Sequence, residues 1–231
     1  MRALPAPFKS DEVSRRAFLK ILGLTGAACG AFVQTGCRSG QPVLMDFSDN
    51  PRNFVASDYR EVFNRWTRHE LLVSANEGTI IEIWGTLKSW EYREAYVQKY
   101  SQTYALSSEA KAGLRASELK KSQEAYELHL TVQTSDYRSN DLEKSDSPWR
   151  LSLVDGTGDE IFQKEVEALR LPIPYEEAFF LEKTSFSRAY TVRFERETPN
   201  KTSGFGGAAS GEITLRARGP LGGIELTWQA K

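Results

Sequence analysis

The sequence alternates strictly between apolar and polar side chains over Tyr126-Glu127-Leu128-His129-Leu130-Thr131-Val132-Gln133. Successive side chains of a β-strand point to opposite faces of a sheet, so this period of two predicts a strand with one buried and one solvent-facing side. His129 falls on the polar side, and we interpret it as a surface residue. The same alternation recurs at 190–195, 213–218 and 224–229.

Turn sequences connect the predicted strands into hairpins. The hairpins pair 70–74 with 79–87, 149–155 with 160–167, and 213–218 with 224–229. Short alternating strands joined by glycine-containing turns are typical of antiparallel sheets. Seven or eight such strands predict a mainly β fold, an antiparallel β-sandwich that is immunoglobulin-like in architecture only, because no cysteine pair is available to bridge two sheets.

Two helices interrupt the strands at residues 89–122. The first carries Tyr92, Tyr96, Tyr100 and Tyr104 at intervals of four, which places them on one slowly drifting face of a helix. We interpret this tyrosine stripe first as the surface that docks the helix onto the sheet. The other interpretation is a face for a ligand or partner protein, because tyrosine is enriched at interfaces.

Capping residues and apolar spacing predict where the other helices begin. Ser107 precedes an acidic first turn, which predicts the start of the second inserted helix. Ser57 is suited to cap a short N-terminal helix that packs against the domain. The apolar residues on one face of that helix are Tyr59, Val62, Phe63 and Trp66.

The N-terminal segment contains Ser14-Arg15-Arg16-Ala17-Phe18-Leu19-Lys20, followed by an apolar stretch at 21–36. Paired arginines ahead of a Phe-Leu pair and an apolar stretch resemble a twin-arginine export signal. The resemblance implies export by the twin-arginine translocase and places this segment outside the folded domain. The residues that the translocase would recognise are Arg15, Arg16, Phe18 and Leu19.

Cys37 follows Val33-Gln34-Thr35-Gly36 and resembles the acylated cysteine of a bacterial lipobox. Cys29 fits less well, because it would shorten the apolar region to about a dozen residues. The resemblance implies a membrane anchor through a lipidated N-terminus at Cys37; cleavage to a soluble protein and an uncleaved anchor are the alternatives. Arg38 stands where an inner-membrane retention signal would place aspartate, which favours the outer membrane.

Composition divides the chain into a signal (1–37), a tether rich in Pro, Asp and Ser (38–56) and a domain (57–231). The signal holds five basic and two acidic residues, which leaves 25 basic against 29 acidic residues after it. This balance argues against a nucleic-acid partner, which needs a basic surface. With no thiol after Cys37 and no metal-ligand spacing of histidines, we predict no metal and no cofactor.

No catalytic motif is recognisable in the domain, and no catalytic residue is assigned. The run from Trp66-Thr67-Arg68 through the tyrosine stripe to Leu226-Thr227-Trp228 resembles uncharacterised bacterial lipoproteins, which implies no activity. We expect a non-enzymatic lipoprotein of the bacterial cell envelope, on the periplasmic side of a membrane, that binds an unidentified envelope protein or ligand. The alternatives are a periplasmic hydrolase with paired carboxylates in a cleft beside the helical insertion, and a metal or cofactor carrier exported already folded.

Overall fold

The structure is a computed structural model and describes residues 59–74, 78–170, 172–182, 184–196, 205 and 211–229. The predicted export signal, the lipidation site Cys37, the tether and the Ser57 cap lie outside the described residues. The predictions for the domain fall almost entirely within them.

Eight antiparallel strands are present in the described part of the chain, as the alternating segments predicted. They are β1 (Thr67–Ser74), β2 (Gly78–Leu87), β3 (Ala125–Thr134), β4 (Arg150–Asp155), β5 (Glu160–Leu169), β6 (Arg188–Glu195), β7 (Glu212–Gly219) and β8 (Gly222–Gln229). They form one sheet in the order β1-β2-β3-β6-β5-β4-β7-β8. The mainly β prediction is therefore confirmed.

Helices lie between the strands, and the predicted two-helix insertion separates β2 from β3. The helices are α1 (Tyr59–Trp66), α2 (Trp90–Thr103), α3 (Ser108–Glu124) and α4 (Ile173–Phe179), with a 3₁₀ turn at Tyr137–Ser139. Ser107 caps α3 by accepting a hydrogen bond from the Ala110 amide at 3.1 Å, as predicted. The sequence pattern did not predict α4, because its 7 residues are too few to show a helical period. No helix among the described residues is long and apolar enough to cross a membrane.

The two edges of the sheet approach each other, so the sheet is nearly barrel-shaped. Arg68 on β1 donates from Nε to the Thr227 carbonyl on β8 at 3.0 Å, and the Trp228 indole donates to the Trp66 carbonyl at 2.8 Å. The predicted immunoglobulin-like sandwich is not confirmed. A twisted sheet of this many strands can curl until its edges meet. The alternation of apolar and polar residues along a strand is the same in a curled sheet as in two facing sheets, so the sequence does not distinguish them.

The core lies on the inner face of the sheet, where the apolar positions of the strands meet. Gly85 on β2 allows close packing there, because a side chain at this position would clash with Leu226 of β8. The buried apolar face of α1 joins the same cluster, as predicted. Large core side chains that are almost fully buried include Trp66, Ile81, Ile83, Leu128, Leu130, Tyr190, Phe194 and Trp228.

Candidate functional site

The outer face of β3 is covered, although its polar side chains predicted exposure to solvent. Glu127 is buried, and the His129 ring is partly buried, with the ring of Phe180 standing edge-on to it at 4.7 Å. The ring centroid of Tyr92 on α2 lies 6.4 Å from that of His129. The interpretation of His129 as a surface residue is therefore corrected: the helices that follow β2 and β5 fold over this part of the sheet.

A network of buried ion pairs joins the insertion to the sheet. Arg93 on α2, whose side chain is 1% exposed, donates to Glu118 on α3 at 2.6 Å and to Glu127 on β3 at 2.7 Å. Glu127 also accepts a hydrogen bond from Arg193 on β6 at 2.7 Å. Charge-assisted bonds of this length are among the stronger polar contacts in proteins. Arg93 therefore ties both inserted helices to the outer face of the sheet.

Two lysines and a further carboxylate extend this network. Lys88 lies 3.6 Å from Glu127, Lys121 donates to Glu118 at 2.8 Å, and Arg193 contacts Glu165 at 3.3 Å. Among the described residues, the network thus holds the cations Lys88, Arg93, Lys121 and Arg193 and the carboxylates Glu118, Glu127 and Glu165. Lys121 and Arg193 are 42% and 37% exposed at their side chains, so water screens part of this charge.

A pocket of about 200 Å³ opens beside the network, between the outer face of the sheet and the helices. Its polar lining consists of Lys88, Glu118, Lys121, His129 and Thr191. Its apolar lining is largely aromatic and consists of Tyr92, Tyr96, Leu169, Tyr175, Phe179 and Phe180. Mostly apolar walls with a few converging polar groups are typical of small-ligand sites.

The tyrosine stripe of α2 runs from the buried interface to the surface. Tyr92 is buried, Tyr96 and Tyr100 are partly buried, and Tyr104 is 48% exposed. The hydroxyl groups of Tyr96 and Tyr175 on α4 are hydrogen-bonded at 2.8 Å. The first part of the stripe thus packs α2 against the rest of the domain, and Tyr92 and Tyr96 also face the pocket. A partner face at the exposed end stays a prediction.

Two residues that line the pocket, Lys88 and His129, have lowered pKa values, which favours their neutral forms. Burial lowers the pKa of Lys88 to about 8, although Glu127 opposes the shift. Burial also lowers the pKa of His129 well below its usual value, and neighbouring Lys88 adds to this effect. His129 is therefore neutral at pH 7, whereas Lys88 is still mostly charged.

The two buried carboxylates are held in their ionised forms. Burial alone would raise the pKa of Glu118, but its bond to Lys121 and the charge of Arg93 hold it below the usual value. Burial likewise disfavours the charge on Glu127, but Lys88, Arg93 and Arg193 lower its pKa further than that of Glu118. Hydrolysis by paired carboxylates requires one member whose raised pKa lets it donate a proton. Neither glutamate meets this requirement.

Sequence reasoning identified the tyrosines but missed the ion-pair network. The predicted residues Arg15, Arg16, Phe18, Leu19 and Cys37 lie outside the described part of the chain, so the pocket is built without them. In the described ranges, no group of three or more His, Cys, Asp or Glu side chains is arranged to hold a metal ion. The insertion itself could have indicated the covered face. Two helices inserted between adjacent strands pack on one face of the sheet that those strands form.

Comparisons with known proteins yield little similarity. No protein-family profile and no curated protein matches this chain. It is similar to a crystal structure, at 1.90 Å resolution, of a novel protein of unknown function from Burkholderia pseudomallei K96243. The two are 14% identical, with a TM-score of 0.36, over 73% of this chain and 80% of that chain. Similarity at this level carries no inference about fold or function.

Proposed function

We propose that this chain is a non-enzymatic binding module of the bacterial cell envelope, and that the pocket beneath the helical insertion holds its ligand. The observation that carries the proposal is the pocket itself: aromatic side chains and polar side chains of the ion-pair network line a recess between the helices and the sheet. A covered concave site with this composition suits a small molecule better than a flat protein surface.

The pKa values favour binding over hydrolysis at this site. The hydrolase alternative places paired carboxylates in a cleft beside the insertion, and Glu118 and Glu127 occupy that region. Both have a lowered pKa because cations surround them, so both act as fixed negative charges that position Arg93 and the lysines. Neither of these two carboxylates is a proton donor at neutral pH, which favours recognition over hydrolysis by a carboxylate pair.

The cellular location is part of the proposal and rests on the N-terminal segment. The twin-arginine pattern around Arg15 and Arg16 supports export through the twin-arginine translocase. Cys37 supports a lipid anchor on the periplasmic side of a membrane, with the outer membrane favoured. One acyl chain holds a protein only weakly, so stable anchoring needs the multiple acylation typical of bacterial lipoproteins.

The two-layer sandwich is likewise kept as a proposal for the architecture. Its support is the split pairing of β5, which pairs with β4 through residues 160–162 and with β6 through residues 163–169, with an irregularity between Gln163 and Glu165. A strand shared in this way is a natural junction between two layers. The pocket lies on the outer face in either description.

The anchor is tested by replacing the proposed acylation site. In its own host, the Cys37→Ser variant should move from the membrane fraction to the soluble periplasmic fraction, because it cannot be acylated. Cys29→Ser is the matched control and should stay with the membrane. Retention of Cys37→Ser in the membrane would show that another segment anchors the chain.

The binding role is tested by filling the pocket. Leu169 lines the pocket, whereas Phe162 on the same strand is 67% exposed. We expect some members of a mixed set of small anionic, neutral and cationic fluorinated fragments to bind the purified full-length protein, as detected by ¹⁹F NMR line broadening. Leu169→Trp should abolish their binding, and Phe162→Trp should not. If no fragment shows binding that depends on Leu169, the proposed function is wrong.

A further inference from the structure

The charges around the pocket are complementary to a negatively charged ligand. Among the described residues, the pocket lining holds two cations, Lys88 and Lys121, and one carboxylate, Glu118. The Lys88 ammonium is largely buried and lies 3.6 Å from its nearest carboxylate, so an anion that enters the pocket can supply a closer counter-ion. A cationic ligand would add to the excess.

Lys88 has unused hydrogen-bonding capacity. Its side chain is 14% exposed, and its ammonium group lies 3.6 Å from Glu127, which is beyond ordinary hydrogen-bond distance. Glu127 is already bonded at 2.7 Å to both Arg93 and Arg193. Because an ammonium group carries three N–H donors, Lys88 has donors left for a group in the pocket that it lines.

The size and lining of the pocket restrict the rest of the ligand. Its volume of about 200 Å³ is below the roughly 300–1,000 Å³ of pockets for drug-sized ligands. Tyr96, Tyr175 and Phe180 present aromatic surface to it, which favours an aromatic or other planar apolar group. The single excess charge matches one carboxylate better than a phosphate dianion.

From these observations we propose that the ligand is a small carboxylic acid with an aromatic body, whose carboxylate pairs with Lys88 and Lys121 in the pocket. This inference rests on the proposed function, since it names the ligand class of the same site. The Thr191 hydroxyl and neutral His129 also line the pocket and can act as hydrogen-bond donors to the second carboxylate oxygen.

Binding of such an anion has a defined pH dependence. The charged groups and histidine that influence Lys88 are Glu127 and His129 from β3, Arg93 from α2, and Glu118 and Lys121 from α3. Since the free Lys88 has a pKa of about 8, it loses its proton above that pH, whereas the bound anion raises its pKa. Affinity should therefore be constant from about pH 5 to about pH 7, where the carboxylate is ionised and Lys88 is charged, and fall by up to about tenfold per pH unit above pH 8.

The test uses 4-fluorobenzoate and its uncharged isostere 4-fluorobenzamide as ¹⁹F NMR probes. We expect 4-fluorobenzoate to bind the wild-type full-length protein at least tenfold more tightly than 4-fluorobenzamide. Lys88→Met should weaken the benzoate at least tenfold, change the benzamide less than twofold and abolish the pH dependence above pH 8. Lys120→Met is the control, because Lys120 neighbours Lys121 on α3 but is 78% exposed at its side chain.

The remaining outcomes separate this inference from the proposed function. If the two probes bind equally in a manner that Leu169→Trp abolishes, the pocket is a binding site and the anionic ligand class is wrong. If benzoate does not bind, or binds without regard to Lys88, the inference is also overturned, while the mixed fragment set still decides the proposed function. If circular dichroism shows that Lys88→Met does not fold, Lys121→Gln and the pH profile of the wild-type protein provide the same test.

Discussion

The inner face of β3 and β6 is buried and their outer face is partly covered, for opposite physical reasons. On the inner face, Leu128 and Val192 belong to the buried apolar cluster, where burial itself is favourable. On the outer face, Glu127 pairs with Arg93 from the helical insertion and with Arg193 from the neighbouring strand. The contrast shows that alternation reports the polarity of a face and leaves open whether another element covers it.

The two faces should respond differently to the loss of one side chain. An apolar side chain on the inner face can be shortened at a cost that grows with the cavity left behind. Removal of a buried cation on the outer face weakens the compensation of every carboxylate that it contacts. Arg93 contacts two buried carboxylates, so the outer face depends most on this residue.

The largest expected effect is the loss of Arg93. The Arg93→Met variant leaves Glu118 and Glu127 buried without their shared cation, so we expect the free energy of unfolding to fall by about 3–5 kcal/mol. Urea denaturation followed by circular dichroism measures it. Arg115→Met is the comparison: Arg115 on α3 is 45% exposed at its side chain, and its partner Glu94 keeps a hydrogen bond from Gln98 at 3.0 Å, so its loss should cost less, about 1–2 kcal/mol.

A second variant sharpens the comparison between the faces. If Arg93→Met is destabilising because it removes a buried cation that two carboxylates share, the Arg93→Lys variant, which keeps the charge, should recover part of the loss. Equal losses for Arg93→Met and Arg115→Met would instead show that the outer face behaves as ordinary solvent-exposed surface. The contrast between the two faces would then be wrong.

Most of the inner face could be predicted from sequence because its signals are local. A period of two predicted β3, β6, β7 and β8, turn sequences predicted the other strands, and Tyr59 and Trp66 mark the buried side of α1 at helical spacing. Such patterns depend on neighbours within a few residues. The closure of the sheet was not predictable in this way, because the contact of Arg68 with Thr227 joins residues 159 positions apart.

The outer-face site was only partly predictable. Tyr92 and Tyr96 were found through their spacing, and the cleft beside the insertion was anticipated as one location for a site. Arg93 and Glu127 are 34 residues apart, and each alone looks like an ordinary surface charge. Only the packing of α2 on β3 turns them into a buried pair, and α4, which completes the pocket, gave no periodic signal.

The smallest expected effects lie along the tyrosine stripe, which passes from the covered region to solvent. The Tyr59 hydroxyl donates to the Phe179 carbonyl at 3.1 Å, so Tyr92 is the donor in its 3.0 Å bond to Tyr59. Tyr92→Phe removes this bond and should cost about 0.5–1.5 kcal/mol in urea denaturation. The matched Tyr104→Phe change at the exposed end should stay within about 0.5 kcal/mol.

The difference between these two hydroxyl deletions indicates what each end of the stripe does. A loss at Tyr92 with none at Tyr104 means that the buried end docks α2, while the exposed end contributes nothing to stability and is free to contact a partner. A loss at Tyr104 as large as that at Tyr92 would mean that the whole stripe is structural. In that case the partner-face prediction for Tyr104 would have no support, and the pocket would be the remaining candidate for recognition in the described part of the chain.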